Sequence, residues 1–118
     1  MMDEQVSSRA FLFVGCGSGL EALCLKQEVE DAMIIGVDID RNAFVDQVKR
    51  EVSLVVCDCL SLPFVDGVFD FCYCSHVLEH VFDYKRCLDE VKRILKVNGS
   101  MLLSTPNRRR FIGYIDSA

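Results

Sequence analysis

Short apolar runs alternate with stretches of helical period along the chain. Ala10 to Val14 reads as a first apolar strand. Leu20 to Glu28 reads as a helix, with Leu20, Leu23 and Cys24 at helical spacing. Met33 to Val37 predicts a second strand. Asp40 is placed to cap a helix over Arg41 to Val48, whose apolar side carries Phe44, Val45 and Val48. Ser53 to Cys57 predicts a third strand, followed by the loop Leu60-Ser61-Leu62-Pro63-Phe64 and a turn at Asp66-Gly67. Phe69 to Cys74 predicts a fourth. The clearest helical pattern covers Asp83 to Lys96. There Cys87, Leu88, Val91, Ile94 and Leu95 form one stripe, and Lys85, Arg86, Asp89, Glu90, Lys92 and Arg93 lie off it. Asn98-Gly99 supplies a left-handed stop, and Ser100 to Ser104 predicts a fifth strand closed by Pro106.

Repeated β-α-β units with short connections predict an α/β fold: a Rossmann-like, doubly wound parallel sheet of about five strands between two helix layers. The 118 residues form one expected domain, with no internal repeat, low-complexity stretch or linker. Hydrophobic residues make up 51% of the chain. Strands covered on both faces account for that excess, because they read as unbroken apolar runs. In such sheets ligands bind beyond the carboxyl ends of the strands. The glycine-rich stretch after the first strand, Asp38, Asp58 and Ser75 all follow predicted strands and are expected on one edge.

Charge and cysteine usage narrow the partners. A net charge of −5 with no basic face argues against nucleic acid, and Arg108-Arg109-Arg110 reads as a solvated loop. No apolar stretch is long enough to span a membrane, and the start Met1-Met2-Asp3-Glu4 does not resemble a signal peptide. Seven cysteines with no export signal read as reduced thiols of a cytoplasmic protein. Cys57-x-Cys59 and Cys72-x-Cys74, if in strands, each share a sheet face, which suits packing better than zinc binding. No metal site is expected.

The candidate chemistry lies at Phe11-Leu12-Phe13-Val14-Gly15-Cys16-Gly17-Ser18-Gly19, with Gly36-Val37-Asp38 further on. Glycines at this spacing let the backbone turn sharply and come close to a ligand. The helix that follows offers unpaired N–H groups to an anionic group, and an acid ending the second strand suits ribose hydroxyls. A nicotinamide enzyme would show G-x-G-x-x-G; here the third glycine, Gly19, comes one residue early. The glycines alone leave both nucleotide readings open.

Further motifs follow in order: Gly36-Val37-Asp38-Ile39-Asp40, Cys57-Asp58 leading to Leu62-Pro63-Phe64, Phe69-Asp70, Val77-Leu78-Glu79-His80-Val81, Arg93-Ile94-Leu95-Lys96 and Ser104-Thr105-Pro106-Asn107. With the glycine loop, this series closely resembles the class I S-adenosylmethionine-dependent methyltransferases, in particular the group containing the quinone-biosynthesis enzymes. The resemblance covers about residues 10 to 107 and implies strand order 3-2-1-4-5. It implies S-adenosyl-L-methionine as cofactor, with Gly15, Cys16, Gly17 and Gly19 forming the loop beside its methionine part. Asp38 would hold the ribose hydroxyls and Ile39 would lie against the adenine face. Asp58 would accept from the adenine amino group with the Cys59 backbone nearby, and Ser75 would border the reactive methyl. The alternative for Asp38 and Asp58 is that they only cap loops.

The chain departs from the family pattern at two places. Phe13 stands where the family usually carries an acid that helps to hold the cofactor's ammonium end, which predicts binding weaker by about 1.5–3 kcal/mol. Family members also usually continue past the fifth strand, whereas this sequence stops at Ala118. Met101, Leu102 and Leu103 are then expected on an uncovered edge that invites a second copy or a partner, assisted by Phe111, Ile112, Tyr114 and Ile115. His76-Val77-Leu78-Glu79-His80 matches the zinc-peptidase pattern H-x-x-E-H, but a short segment directly after a strand is the wrong setting. The relatives that bind a divalent metal use an acid where His76 stands. Methyl transfer is an in-line displacement in which alignment and exclusion of water matter most, and a base is optional; His76 and His80 are the candidates. The leading expectation is a methyltransferase acting on a small-molecule acceptor. The alternative is a cofactor-binding pseudoenzyme or partner-dependent subunit without its own acceptor site.

Overall fold

A computed structural model describes residues 9–75 and 83–104. Five parallel strands, β1 (Ala10–Val14), β2 (Met33–Asp38), β3 (Ser53–Val56), β4 (Phe69–Ser75) and β5 (Leu95–Ser104), form one sheet in the order β3-β2-β1-β4-β5. Three helices connect them: α1 (Leu20–Glu28), α2 (Asp46–Lys49) and α3 (Tyr84–Ile94). The α/β class and the strand order agree with the sequence reading.

Side chains that alternate along each strand build two cores, one per face. On one face Leu12 and Val14 of β1, Cys72 and Cys74 of β4, and Met101 and Leu103 of β5 meet Cys87, Val91 and Ile94 of α3. On the other, Phe13 and Ile34 meet Ala22 and Leu23 of α1 and Phe44 and Val48 around α2, with Phe11 and Tyr73 against them. Two aromatic pairs run across β1 and β4 on this second face: Phe11 with Phe71, and Phe13 with Tyr73, both edge to face.

Three expectations change. The second helix is shorter than Arg41–Val48 and begins at Asp46. Asp38 accepts from the Asp40 N–H at 3.0 Å and Asp40 from the Asn42 N–H at 2.9 Å, and the Ala43 N–H closes a single turn on the Asp40 carbonyl at 3.1 Å that does not continue into the helix. The Val45 N–H then donates to the Ser18 carbonyl, and Val45 is extended. The helix stop also moves: Asn98 is left-handed (φ 73°), but inside an irregularity of β5, after α3 has already ended at Ile94. The Gly67 and Val68 N–H groups donate to the Arg93 and Ile94 carbonyls there. Finally, β5 is the outermost strand among the described residues, yet Met101 and Leu103 are buried against α3 and the sheet, and Leu102 is half-buried. The apolar side chains of β5 are therefore not the exposed strip that the sequence suggests.

Candidate functional site

The glycine loop lies at the carboxyl end of β1 and is fastened to β2. The Gly15 N–H, the Cys16 N–H and the Cys16 thiol all donate to the Val37 carbonyl, at 2.9, 3.3 and 3.3 Å. Gly15, Gly17 and Gly19 have φ of 69°, 53° and 83°, the left-handed region that other residues enter at a cost. Their surroundings differ. Among the described residues a Cβ on Gly17 would meet nothing within 4 Å, so the loop is open there to what is described. A Cβ on Gly19 would come within 2.5 Å of the Phe44 ring and 2.7 Å of Val48. Gly19 is therefore needed for packing, and Gly17 leaves an open backbone cradle.

Asp38, the last residue of β2, accepts from the Gly17 N–H at 3.1 Å and from the Asp40 N–H at 3.0 Å, one on each carboxylate oxygen. Each oxygen keeps a further lone pair for a ligand hydroxyl. Ile39 beside it is 73% exposed, an apolar surface at the mouth of the site. Cys16 is half-buried, and burial, then the Asp38 charge, push its thiol up to about 12. It stays neutral at physiological pH and contributes backbone and packing, not a nucleophile.

The third strand ends at Val56, so Cys57 and Cys59 lie in the following loop and not in the strand, as the sequence pattern suggested. Both pack against the α3-side core. Burial, then neighbouring Cys59 and Asp58, pushes the Cys57 thiol up to about 11. The Cys59 and Cys87 side chains share a hydrogen bond that holds Cys59 below the usual thiol range and raises Cys87. The Cys72 and Cys74 sulfurs, 3.9 Å apart, share one buried sheet face as expected. Asp58 accepts from the Leu60 N–H at 3.0 Å through Oδ1, so the loop-capping role holds for that oxygen. The Cys57 N–H donates to the Asp38 carbonyl at 3.1 Å, which ties this loop to the end of β2.

The sequence reading missed what anchors this loop. Helical spacing puts Arg86, Glu90 and Arg93 off the apolar stripe, yet all three reach across to residues 60–66. The Arg86 Nε–H donates to the Leu60 carbonyl at 2.8 Å, and Glu90 accepts from the Leu62 N–H at 2.8 Å. Arg93 donates to the Leu62 and Phe64 carbonyls and pairs with Asp66 and Glu90. The Arg93 guanidinium holds the Glu90 carboxyl below its ordinary range, and Glu90 with Asp66 raises Arg93. An acid and an arginine three residues apart on a polar helix face was the available signal, but nothing local says what they bind.

Phe13 is 6% exposed, its ring edge to face with Tyr73 at 5.6 Å. An acid there would replace core packing with a buried charge, so Phe13→Asp reads stability as much as affinity. Asp70, also in the motif series, accepts from the Ala10 N–H at 2.8 Å and pairs with Lys96 at 3.3 Å, a structural tie across β1, β4 and β5. Ser75 ends β4, on the same carboxyl edge as the glycine loop, Asp38, Ile39, Asp58 and Cys59. His76, Glu79, His80, Pro106, Arg108–Arg110, Phe111, Ile112, Tyr114 and Ile115 lie outside the described residues. Among the described residues no group of acids, histidines and cysteines is placed to hold a metal ion, and no helix is long and apolar enough to cross a membrane.

Comparison with known proteins converges on one family. Residues 12–103 match the methyltransferase domain family. Demethylmenaquinone methyltransferase of Shouchella clausii is 34% identical over 109 residues, covering 86% of this chain and 46% of the relative. The crystal structure of the YcgJ protein of Bacillus subtilis superposes with a TM-score of 0.72 at 28% identity, over 83% of this chain and 44% of that one. Phosphoethanolamine N-methyltransferase 2 of Haemonchus contortus, solved with S-adenosylhomocysteine, shares the fold (TM-score 0.74, 23% identity, 86% of this chain, 25% of that one). The chain thus spans less than half the length of each of these three proteins. With its parallel sheet, glycine loop and Asp38-bearing second strand, the chain belongs to the S-adenosylmethionine-dependent methyltransferase family.

Proposed function

We propose that this chain binds S-adenosylmethionine at the carboxyl edge of β1, β2 and β3 and serves methyl transfer to a small-molecule acceptor by in-line displacement. The observation that carries the reading is the joint between Gly17 and Asp38. An open backbone cradle lies hydrogen-bonded to a carboxylate that retains lone pairs for two hydroxyls. When bound, the cofactor supplies an electrophilic methyl group on a sulfonium. Gly15, Cys16 and Gly17 would line its methionine part with backbone, and the first turn of α1 would favour its carboxylate. Asp38 would take the ribose hydroxyls, Ile39 the adenine face, and Asp58 with the Cys59 backbone the adenine edge. Ser75 would border the methyl. Gly19 serves this site from below, by admitting Phe44 under the loop. The protein's part in the reaction is to align donor and acceptor and keep water out.

Calorimetric titration with S-adenosylhomocysteine tests the reading. The chain is expected to bind it, and Asp38→Ala to weaken binding by about ten- to a hundredfold, the loss of hydrogen bonds to a charged acceptor. Absence of binding to the unaltered chain would overturn it. Demethylmenaquinone, named for the Shouchella relative, is the first acceptor to assay.

A further inference from the structure

Resting on the cofactor reading above, we infer that Glu21 receives the ammonium group of the bound amino acid end, and that Tyr73 positions it for that contact. An S-adenosyl amino acid ends in a zwitterion, whose carboxylate needs N–H donors and whose ammonium needs an acceptor. The first turn of α1 supplies donors. From Gly15 to Ala22 the only carboxylate is Glu21, in that first turn. Phe13, just before the loop, is a buried hydrocarbon ring and offers no acceptor. Asp38 is fastened to Gly17 and Asp40 at the end of β2, on the side of the site that suits the ribose.

The packing fixes where Glu21 sits. Phe13 and Tyr73 are register partners on β1 and β4, and their rings meet on the sheet face that α1 covers. The Tyr73 hydroxyl thereby reaches the start of α1 and donates to Glu21 Oε2 at 3.3 Å. A neutral hydroxyl restrains the carboxylate without neutralising it. Among the described residues no Lys, Arg or His pairs with Glu21. The result is an exposed, anchored carboxylate beside the loop between β1 and β4, where a cationic ligand group supplies the missing partner.

The test compares two ligands on the 118-residue chain by calorimetry. S-adenosylhomocysteine carries the amino acid end, and 5′-methylthioadenosine carries the same nucleoside and sulfur without it. Glu21→Gln is expected to weaken S-adenosylhomocysteine about ten- to thirtyfold and leave 5′-methylthioadenosine within about twofold, the selectivity of one lost charge-assisted contact. Tyr73→Phe should produce a smaller loss with the same selectivity. Glu21 is exposed, so thermal unfolding of Glu21→Gln should match the parent. An equal loss for both ligands, or none for either, overturns the assignment while the cofactor reading stands. Failure of the unaltered chain to bind either ligand overturns both.

Discussion

The two halves of the site are held in place by different means. At the β1–β2 end, the glycine loop and Asp38 are held mostly through backbone N–H groups, with the Cys16 thiol added. Val37 receives three donors from Gly15 and Cys16, and Gly17 and Asp40 hold the Asp38 carboxylate. At the β3 end, the loop bearing Asp58 and Cys59 is held by side chains arriving from α3, about 30 residues along the chain. Backbone fastening depends on φ and on the absence of a Cβ, so a single added carbon disrupts it. Side-chain fastening spreads over several partly exposed contacts, so it yields in smaller steps.

The largest effect is expected at the first half. Gly19→Val combines a left-handed φ of 83° with a Cβ 2.5 Å from the Phe44 ring. Strain and overpacking together should cost about 2–5 kcal/mol in denaturant unfolding. A loss under about 1 kcal/mol would show that the loop can slide off Phe44.

Next comes the clamp. Arg93 is 31% exposed, so solvent screens its pairs, and Arg93→Ala should cost only about 1–2 kcal/mol. Its signature is local: limited proteolysis should cut first within residues 58–68, with the glycine loop still protected. Cleavage starting at the glycine loop would mean that the two halves are not separately fastened.

The smallest effect is a pH dependence. Arg93 lowers the Glu90 carboxyl below its value in the unfolded chain, ordinarily 4.5. A depressed carboxyl stabilises the fold above the unfolded value, and that contribution is lost as pH falls through the folded one. Urea midpoints should therefore decline below about pH 4.5, and Glu90→Gln should flatten that decline. An unchanged slope would remove Glu90 from the clamp.

Phe44 shows why one half was easier to read than the other. Its helical spacing with Val48 was visible, but its insertion under Gly19 and Gly36 was not, because that contact joins three separate segments. A second tertiary contact shortens α2: the Ser18 carbonyl takes the Val45 N–H, which a helix from Arg41 would have donated to the Arg41 carbonyl. Local propensity gave a helix, and tertiary hydrogen bonds overrode it. Met101 and Leu103 misled in the opposite direction: an apolar edge strand looked exposed until the α3 layer was seen to cover its side chains.

The sequence by itself determined the order of strands and helices, the parallel α/β class, the glycine loop and the acid ending β2. These follow from periodicity, from the left-handed φ that glycine permits and from motif spacing over short stretches of chain. Only the tertiary structure decided that Arg86, Glu90 and Arg93 clamp the Asp58 loop, that Phe13 is core, and that Tyr73 reaches Glu21 across 52 positions. Those contacts join side chains far apart in sequence. Their partners are set by sheet register and helix packing, which one-dimensional spacing does not encode.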